Sequence, residues 1–273
     1  MTGNTLSGAL LRTVLARNGA LGGQCAPLDK LAAGAVAALA DHAPDRTGRG
    51  TAAWLATQTQ ESAWLRTTTE YGTGQRYAPY IGRTFEQITW RDNYLIFGRW
   101  CKTRGLVDDE LLFAKQPKLL SDLRWAWLGG IWYFAARNLW GHANAGNFQA
   151  VSNAVNRGSA TLDGYPSGWS TRLQCYRTYL GVLDKPAALL VDGSYGPVTI
   201  ARLQEWVGVY VDGDQGARTI KALQRWLGVT VDGDLGPRTV RALQAKVGAY
   251  GDGDLGPYTV RALQSYLNAH REG

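Results

Sequence analysis

Apolar residues recur three and four positions apart along most of the chain, and few stretches alternate, so the pattern predicts a mainly helical protein. Residues 27–43, PLDKLAAGAVAALADHA, form an alanine-rich amphipathic pattern. SDLRWAWLGGIWYFAARNLW is apolar almost all round, which predicts a buried central helix. Its Gly129–Gly130 pair weakens that helix and predicts close approach of another segment. TRLQCYRTYLGVL reads as a further helix, and MTGNTLSGALLRTVLARNGA as an amphipathic one at the start. In GTAAWLATQTQESAWL, helical spacing puts Trp54, Leu55, Gln58, Glu61, Ser62 and Leu65 on one side. Strand signals are few and short, enough for one small hairpin.

The pattern changes after residue 190. Residues 191–210, 211–230, 231–250 and 251–270 are four copies of one 20-residue unit without an insertion. Asp-Gly and a second Gly predict a turn. Pro197, Pro237 and Pro257, with Ala217 in the remaining copy, mark helix starts. Apolar residues then recur at helical spacing (Ile220, Leu223 and Leu227 in the second copy) up to a stop at Gly228. A unit this small buries too little alone, so neighbours must share a core. The Asp residues of VDGD fit a turn better than a calcium loop, whose ligand set they do not complete. The expected organisation is a helical domain over 1–182, a linker at 183–190 broken by Pro186, and four repeats over 191–270.

Charge separates the two parts. The chain carries 29 Lys+Arg and 22 Asp+Glu. Residues 187–273 hold 9 of each, which leaves 20 against 13 in residues 1–186, so the whole excess of +7 lies in the first part. A basic part favours an anionic partner, nucleic acid, a membrane surface or an acidic wall polymer, and without a nucleic-acid motif nucleic acid is the weakest of these. Cys25, Cys101 and Cys175 are odd in number and widely spaced, and the three His form no cluster with them, so neither a disulfide framework nor a zinc site is expected. No run of about 18 apolar residues exists to cross a membrane. Arg12 and Arg17 interrupt the N-terminal apolar stretch, which argues against a signal peptide.

Chemistry concentrates in ESAWLRTTTEYG, residues 61–72. Glu61 falls near a helix end beside apolar neighbours, a setting that keeps a carboxylic acid protonated. Glu70 is nine residues on, about 2.5 helical turns, so it shares a side with Glu61 only if the chain turns back. Thr67, Thr68 and Thr69 disfavour helix, and Gly72 and Gly74 follow, so a returning loop or hairpin is expected. A helix-end acid facing a loop acid suits glycoside hydrolysis, and an inverting enzyme sets its carboxyls roughly 6.5–9.5 Å apart. On this spacing alone a solvated surface is the favoured reading, since glutamate is usually solvated.

The residues that follow carry a resemblance. In YAPYIGRTFEQITWRDNY, Tyr80, Gly82, Arg83, Gln87, Ile88, Thr89, Asn93 and Tyr94 resemble the signature of glycoside hydrolase family 19, the chitinase and lysozyme-like enzymes, with Thr84 where that family has a second Gly. AWLGGIWYF, VSNAVNRG and RLQCYRTYL resemble its later segments, and the whole is most similar to phage endolysins that attack actinobacterial walls. The resemblance implies a lysozyme-like helical domain with Glu61 as proton donor, Glu70 as base and Thr89 holding the water. It also implies Gln87, Asn93 and Asn156 at the sugar and Arg172 near the acids. For the amides, hydrogen bonding to backbone is the competing role. Likewise VDGDLGPRTVRALQ resembles the repeat of peptidoglycan-binding modules.

Together these predict a monomeric, cofactor-free and metal-free endolysin. It would be made in the host cytoplasm and would cut β-1,4 bonds of peptidoglycan by inversion, targeted to the wall by its repeats. The alternatives are a chitinase of the same family and a non-catalytic wall-binding protein. An amidase or cysteine peptidase has no motif to support it.

Overall fold

The computed structural model describes residues 6–72, 74–162, 164–185 and 187–270. Residues 1–5 of the expected first helix, and Pro186 of the expected linker, lie outside them. The helices are α1 (Gly8–Arg17), α2 (Leu28–His42), α3 (Gly48–Glu61), α4 (Arg91–Thr103), α5 (Leu112–Lys115), α6 (Leu123–Ala136), α7 (Leu139–Asn144), α8 (Phe148–Arg157), α9 (Trp169–Leu183), α10 (Pro197–Val207), α11 (Ala217–Leu227), α12 (Pro237–Val247) and α13 (Pro257–Ala269), with a 3-10 turn at Pro117–Ser121. Among the described residues the expected hairpin appears only as two isolated antiparallel bridges, Thr69 with Arg83 and Arg83 with Ile88. Left-handed backbone at Thr84 and Gln87 keeps it from lengthening into strands. No described helix is long and apolar enough to cross a membrane.

The chain divides into two compact units, one of residues 1–47 and 51–141, the other of residues 48–50 and 142–273. This division differs from the expected boundary after residue 182, and α8 and α9 group with the repeats.

In the first unit α6 is the buried centre, with Trp127, Ile131 and Phe134 inaccessible. Helix α2 lies so close that a Cβ on Gly34 would meet the Trp127 indole at 2.9 Å. The Gly129–Gly130 pair does what its lack of side chains predicts. A Cβ on Gly129 would sit 2.6 Å from Thr84 Oγ1, and one on Gly130 2.2 Å from Gln58 Oε1. Two polar side chains therefore press against the bare backbone of α6.

In the second unit the repeats form a closed ring. Consecutive helices α10 to α13 pack in order, and α13 packs back on α10. Leu203, Leu223, Leu243 and Leu263 fill the centre, each 0–1% exposed. Each joint is made by a buried glutamine. Gln224 Nε2 lies 2.6 Å from Asp232 Oδ1, 2.8 Å from Asp234 O and 3.1 Å from Thr239 Oγ1, and its Oε1 accepts from Gly233 N at 2.9 Å. Gln204 and Gln244 repeat this on the next turns. Gln264 closes the ring on the first repeat, at Asp192, Ser194, Thr199 and Gly193 N. Only six positions are identical in all four copies: Asp, Gly, Gly, Thr, Leu and Gln. All but the second glycine belong to this joint or to the core behind it.

Helices α10 to α12 stop at Gly208, Gly228 and Gly248 in left-handed conformation. The fourth copy has Asn268 there, and its helix runs on. The Asn268 amide bonds both backbone groups of Leu189, at 2.7 and 2.9 Å, which seats the chain entering the ring beside the helix that leaves it.

Helix α9 docks on the same ring. The Arg177 guanidinium stacks 3.7 Å over Trp206 and donates to its carbonyl, and burial brings its pKa down to about 9. Arg49 bridges Asp184 and Glu205, and Arg202 adds a second contact to Glu205. Burial nonetheless pushes the Glu205 carboxyl above its ordinary pKa.

Candidate active site

Glu61 is the last residue of α3, half-buried. The helix does not continue to Leu65 as its apolar spacing suggested. Instead Ala63, Trp64 and Leu65 are all left-handed, with φ of 50°, 69° and 61°. Each such residue costs about 1–2 kcal/mol, so the turn persists only because its surroundings hold it. Ser62, fully buried, donates to Gln58 O at 2.6 Å and accepts from Leu65 N at 3.0 Å. Leu65 O accepts from Cys25 N, and the Arg66 guanidinium donates to Gly22 O and Ala20 O.

This reversed turn sends the chain back towards the loop that carries the second acid. Thr67 closes its own turn on Thr69 O, while the Thr68 and Thr69 hydroxyls both bond Ser121, just ahead of α6. Glu70 N then donates to Gly82 O at 2.8 Å. A Cβ on Gly82 would fall 2.8 Å from Glu70 Oε2 and 2.7 Å from Gln87 Oε1, so glycine is what lets both side chains lie over the same backbone. The Tyr77 hydroxyl lies 3.4 Å from Glu70 Oε2. Glu70 Oε1 is buried and has no protein hydrogen-bond partner.

Arg83 explains why the segment holds its shape. It is 6% exposed, and its guanidinium donates to Pro79 O and to the Tyr94 hydroxyl, both at 2.7 Å. Arg83 and Ile88 exchange both backbone hydrogen bonds around the four-residue loop 84–87. Thr84 has φ of 70°, the left-handed geometry a glycine would adopt without strain, and the bare Gly129 opposite accommodates its side chain.

The loop meets Glu70 directly and the helix of Glu61 through Gln58. Gln87 lies beside Glu70 over Gly82. Its neighbour Glu86, 8% exposed, accepts a hydrogen bond from Gln58, one helical turn before Glu61. Tyr133 is pushed up to about 12, mainly by burial, then by the charge of Glu86, with Glu61 adding to it and Arg137 opposing. Burial also raises Tyr94 and Tyr77, and Glu70 adds to both. Glu61 thus shares its surroundings with Glu86 and Tyr133, and Glu70 shares its own with Tyr77 and Tyr94. Glu86 and Tyr133 were not singled out from the sequence, and Gln58 only as a position on the same helix side as Glu61. The available signal was a lone Glu between the apolar Phe85 and Ile88.

The remaining candidates divide. The Thr89 hydroxyl donates to Gln87 O at 2.8 Å, Gln87 Nε2 to Thr84 O at 3.1 Å and Asn93 Nδ2 to Thr89 O at 2.8 Å. Their donors therefore hold the loop, the competing role for amides. Trp90, 47% exposed, packs its ring 4.8 Å from that of Tyr77 with the planes tilted by 50°, and Tyr77 in turn reaches Glu70. Asn156 and Arg172 belong to the other unit, where both hold one residue: Asn156 Oδ1 accepts from Ser167 N and Arg172 Nε donates to Ser167 O.

Chitinase C from Streptomyces griseus HUT6037 is similar in structure. It has a TM-score of 0.49 and 21% sequence identity, over 67% of this chain and 94% of that one. A Glu-to-Gln mutant of chitinase C gives the same values. No protein-family model matches the chain.

Proposed function

We propose that this chain is an inverting glycoside hydrolase acting on the β-1,4-linked amino-sugar strands of bacterial peptidoglycan, a lysin of the family 19 type. One observation carries the reading. A strained left-handed turn leads the chain from a helix-end glutamate towards a loop whose glutamate keeps one buried carboxylate oxygen without a protein partner. An unengaged oxygen is what a base needs to take a proton from water, and a half-buried helix-end acid is suited to protonate the leaving oxygen. Glu61 is the acid and Glu70 the base in this scheme. Thr89 and Gln87 present oxygens to the water and sugar, and the exposed Trp90 ring stacks on a sugar face.

The ring of repeats, with no excess charge of its own, would hold the enzyme on the wall. Chitin shares the linkage, and the repeat resemblance is what favours the wall polymer over it. Substrate comparison decides between them: lysis of purified walls should exceed release from chitin oligomers.

Glu61→Gln is the direct test. It keeps the shape and removes the proton donor, which should slow wall hydrolysis by about 10²–10⁴-fold, with an unchanged melting curve. Near-normal lysis by the folded variant would remove Glu61 from the role. Proton NMR of the first product should show the α-anomer, and an initial β-anomer would replace inversion with a retaining route.

A further inference from the structure

A cleft of about 420 Å³ opens in the second unit between α8, the loop after it and α11, far larger than a single water requires. Its walls are preformed. Gln149 Nε2 donates to Gly164 O at 2.7 Å, and Asn153 Nδ2 to Leu162 O and Gly164 O at 2.9 and 3.0 Å, so the loop is pinned to α8. The opposite wall is cationic, with Arg218, Lys221 and Arg225 lining it from α11. Their spacing places them on one helix face, successive Cβ atoms about 5–6 Å apart. In the other repeats the corresponding positions are Val198, Ala201 and Glu205; Arg238, Arg241 and Ala245; and Tyr258, Arg261 and Ser265. Only the second repeat carries all three cations.

Arg225 is anchored by aromatic rings. Its guanidinium lies 4.6 Å over Tyr165, which stacks on Trp169 at 4.6 Å with planes 5° apart. Trp169 stacks in turn on Phe148, and Phe148 on Tyr176. Arg225 also hydrogen-bonds the Tyr165 hydroxyl, and an arginine anchored to an aromatic ladder in this way has further N–H groups for an oxyanion. The Lys221 stem runs over Gly233, whose added Cβ would meet it at 3.0 Å. Arg218 is partly engaged by its own turn, since it helps hold the Asp212 carboxyl low.

We propose that this cleft is a binding site for a short peptide bearing two or more carboxylates, the chemistry of the peptide stems on the wall polymer. Arg225 grips one carboxylate in bidentate fashion, and Lys221 with Arg218 holds the next. The wall reading above supplies the identity of the ligand. The site itself is tested by binding and is independent of whether glycan is cut.

The probe is a soluble stem tetrapeptide with free carboxylates, titrated into the full chain by calorimetry. The same peptide with its carboxylates amidated, and a glycerol-phosphate oligomer, serve as comparison ligands. The free peptide should bind, weaken with added salt, and lose at least about tenfold in affinity in Arg218→Gln/Lys221→Gln and in Arg225→Gln. The double variant changes exposed side chains and should melt like the parent. Arg238→Gln/Arg241→Gln removes the same charge from the equivalent place in the third repeat and should bind as the parent does. Equal loss in both double variants would reduce the cleft to diffuse charge and overturn the proposal. So would undiminished binding of the amidated peptide, or tighter binding of the phosphate oligomer. Failure of the parent chain to bind the free peptide, with its wall hydrolysis intact, would sink the cleft alone. Loss of hydrolysis in Glu61→Gln with peptide binding intact would leave it standing.

Discussion

In the ring, one buried glutamine per repeat satisfies an aspartate, a threonine and a glycine amide, four times over with the same partners. Between residues 61 and 90 no such device recurs. Ser62 pins one turn, Ser121 another, Arg83 a third, and Gln58 meets a buried carboxylate against a bare stretch of α6. Irregular backbone has to satisfy its polar groups in both places. Repetition lets a small set of residue types do this wherever the same geometry returns. The acid-bearing loops instead use a different anchor at each step and hold several residues in left-handed conformations. A region whose anchors each occur once places its side chains individually, as the separate tasks proposed for Glu61 and Glu70 require.

The comparison implies that damage to the ring appears in stability and damage to the loops in chemistry. Gln244→Ala should have the largest effect on stability. It leaves Gly253 N–H and the Asp252 turn without their partner in a closed ring, a loss of about 2–4 kcal/mol, read as a lower melting temperature. Turnover per folded molecule on a soluble oligosaccharide should stay the same at 25 °C, and a fall in it would break the comparison.

Gly130→Ala should cost less, about 1–3 kcal/mol for overpacking. Its methyl displaces Gln58 and with it the bond to Glu86, so hydrolysis should fall by more than the stability loss accounts for. Full activity in this variant would mean that the Gln58–Glu86 pair does not support Glu61.

Thr84→Gly sharpens the same point. It relieves a left-handed threonine but opens space opposite Gly129, so alone it should change stability by under about 1 kcal/mol. Combined with Gly129→Ala, whose methyl fills that space, it should recover about 1 kcal/mol relative to the sum of the single changes. Additive melting shifts would deny that the two sites share one volume.

The smallest effect is the acid response of the ring. Asp192, Asp212, Asp232 and Asp252 are held below the ordinary aspartate value, first by a backbone N–H two residues on and then by the clamping glutamine. A lowered folded pKa gives stability that is complete above the unfolded value, about 3.9, and is lost as pH falls through the folded one. The melting temperature of the ring should therefore be insensitive to these groups from pH 7 to 5 and fall below about pH 4. Asp232→Asn should flatten part of that fall, and an unchanged profile would show that these turns do not govern it.

The repeats were legible because identical positions carry identical duties. Helix starts at Pro197, Ala217, Pro237 and Pro257 follow from first-turn chemistry, and the stops follow from the glycines. The role of Gln204 and its equivalents was not read, since a buried amide cannot be told from a solvated one by type. The buried nature of α6 and the reason for Gly129–Gly130 were also legible, because both depend on the size and polarity of nearby residues. The left-handed turn at 63–65 was not. Ala, Trp and Leu suit a right-handed helix, and the Ser62 hydroxyl together with contacts to residues 20–25 reverses it. Glu86 was missed for a related reason: its burial depends on Gln58 and on the absence of side chains on α6, facts that sequence spacing does not reveal.

A closed ring also has a fixed copy number. An open row of repeats can gain or lose a unit by duplication and still present two ends. Here Gln264 already grips the first turn and Asn268 holds Leu189, so a fifth unit would have to separate them and find the same angle for every joint. The fourth copy is accordingly the one that departs from the glycine stop. The same closure leaves the beginning and end of the repeat segment side by side, so its order could be cyclically rotated, with a new start at residue 211, without changing any glutamine joint. The sequence of units is an accident of where the chain enters; their number is set by the ring.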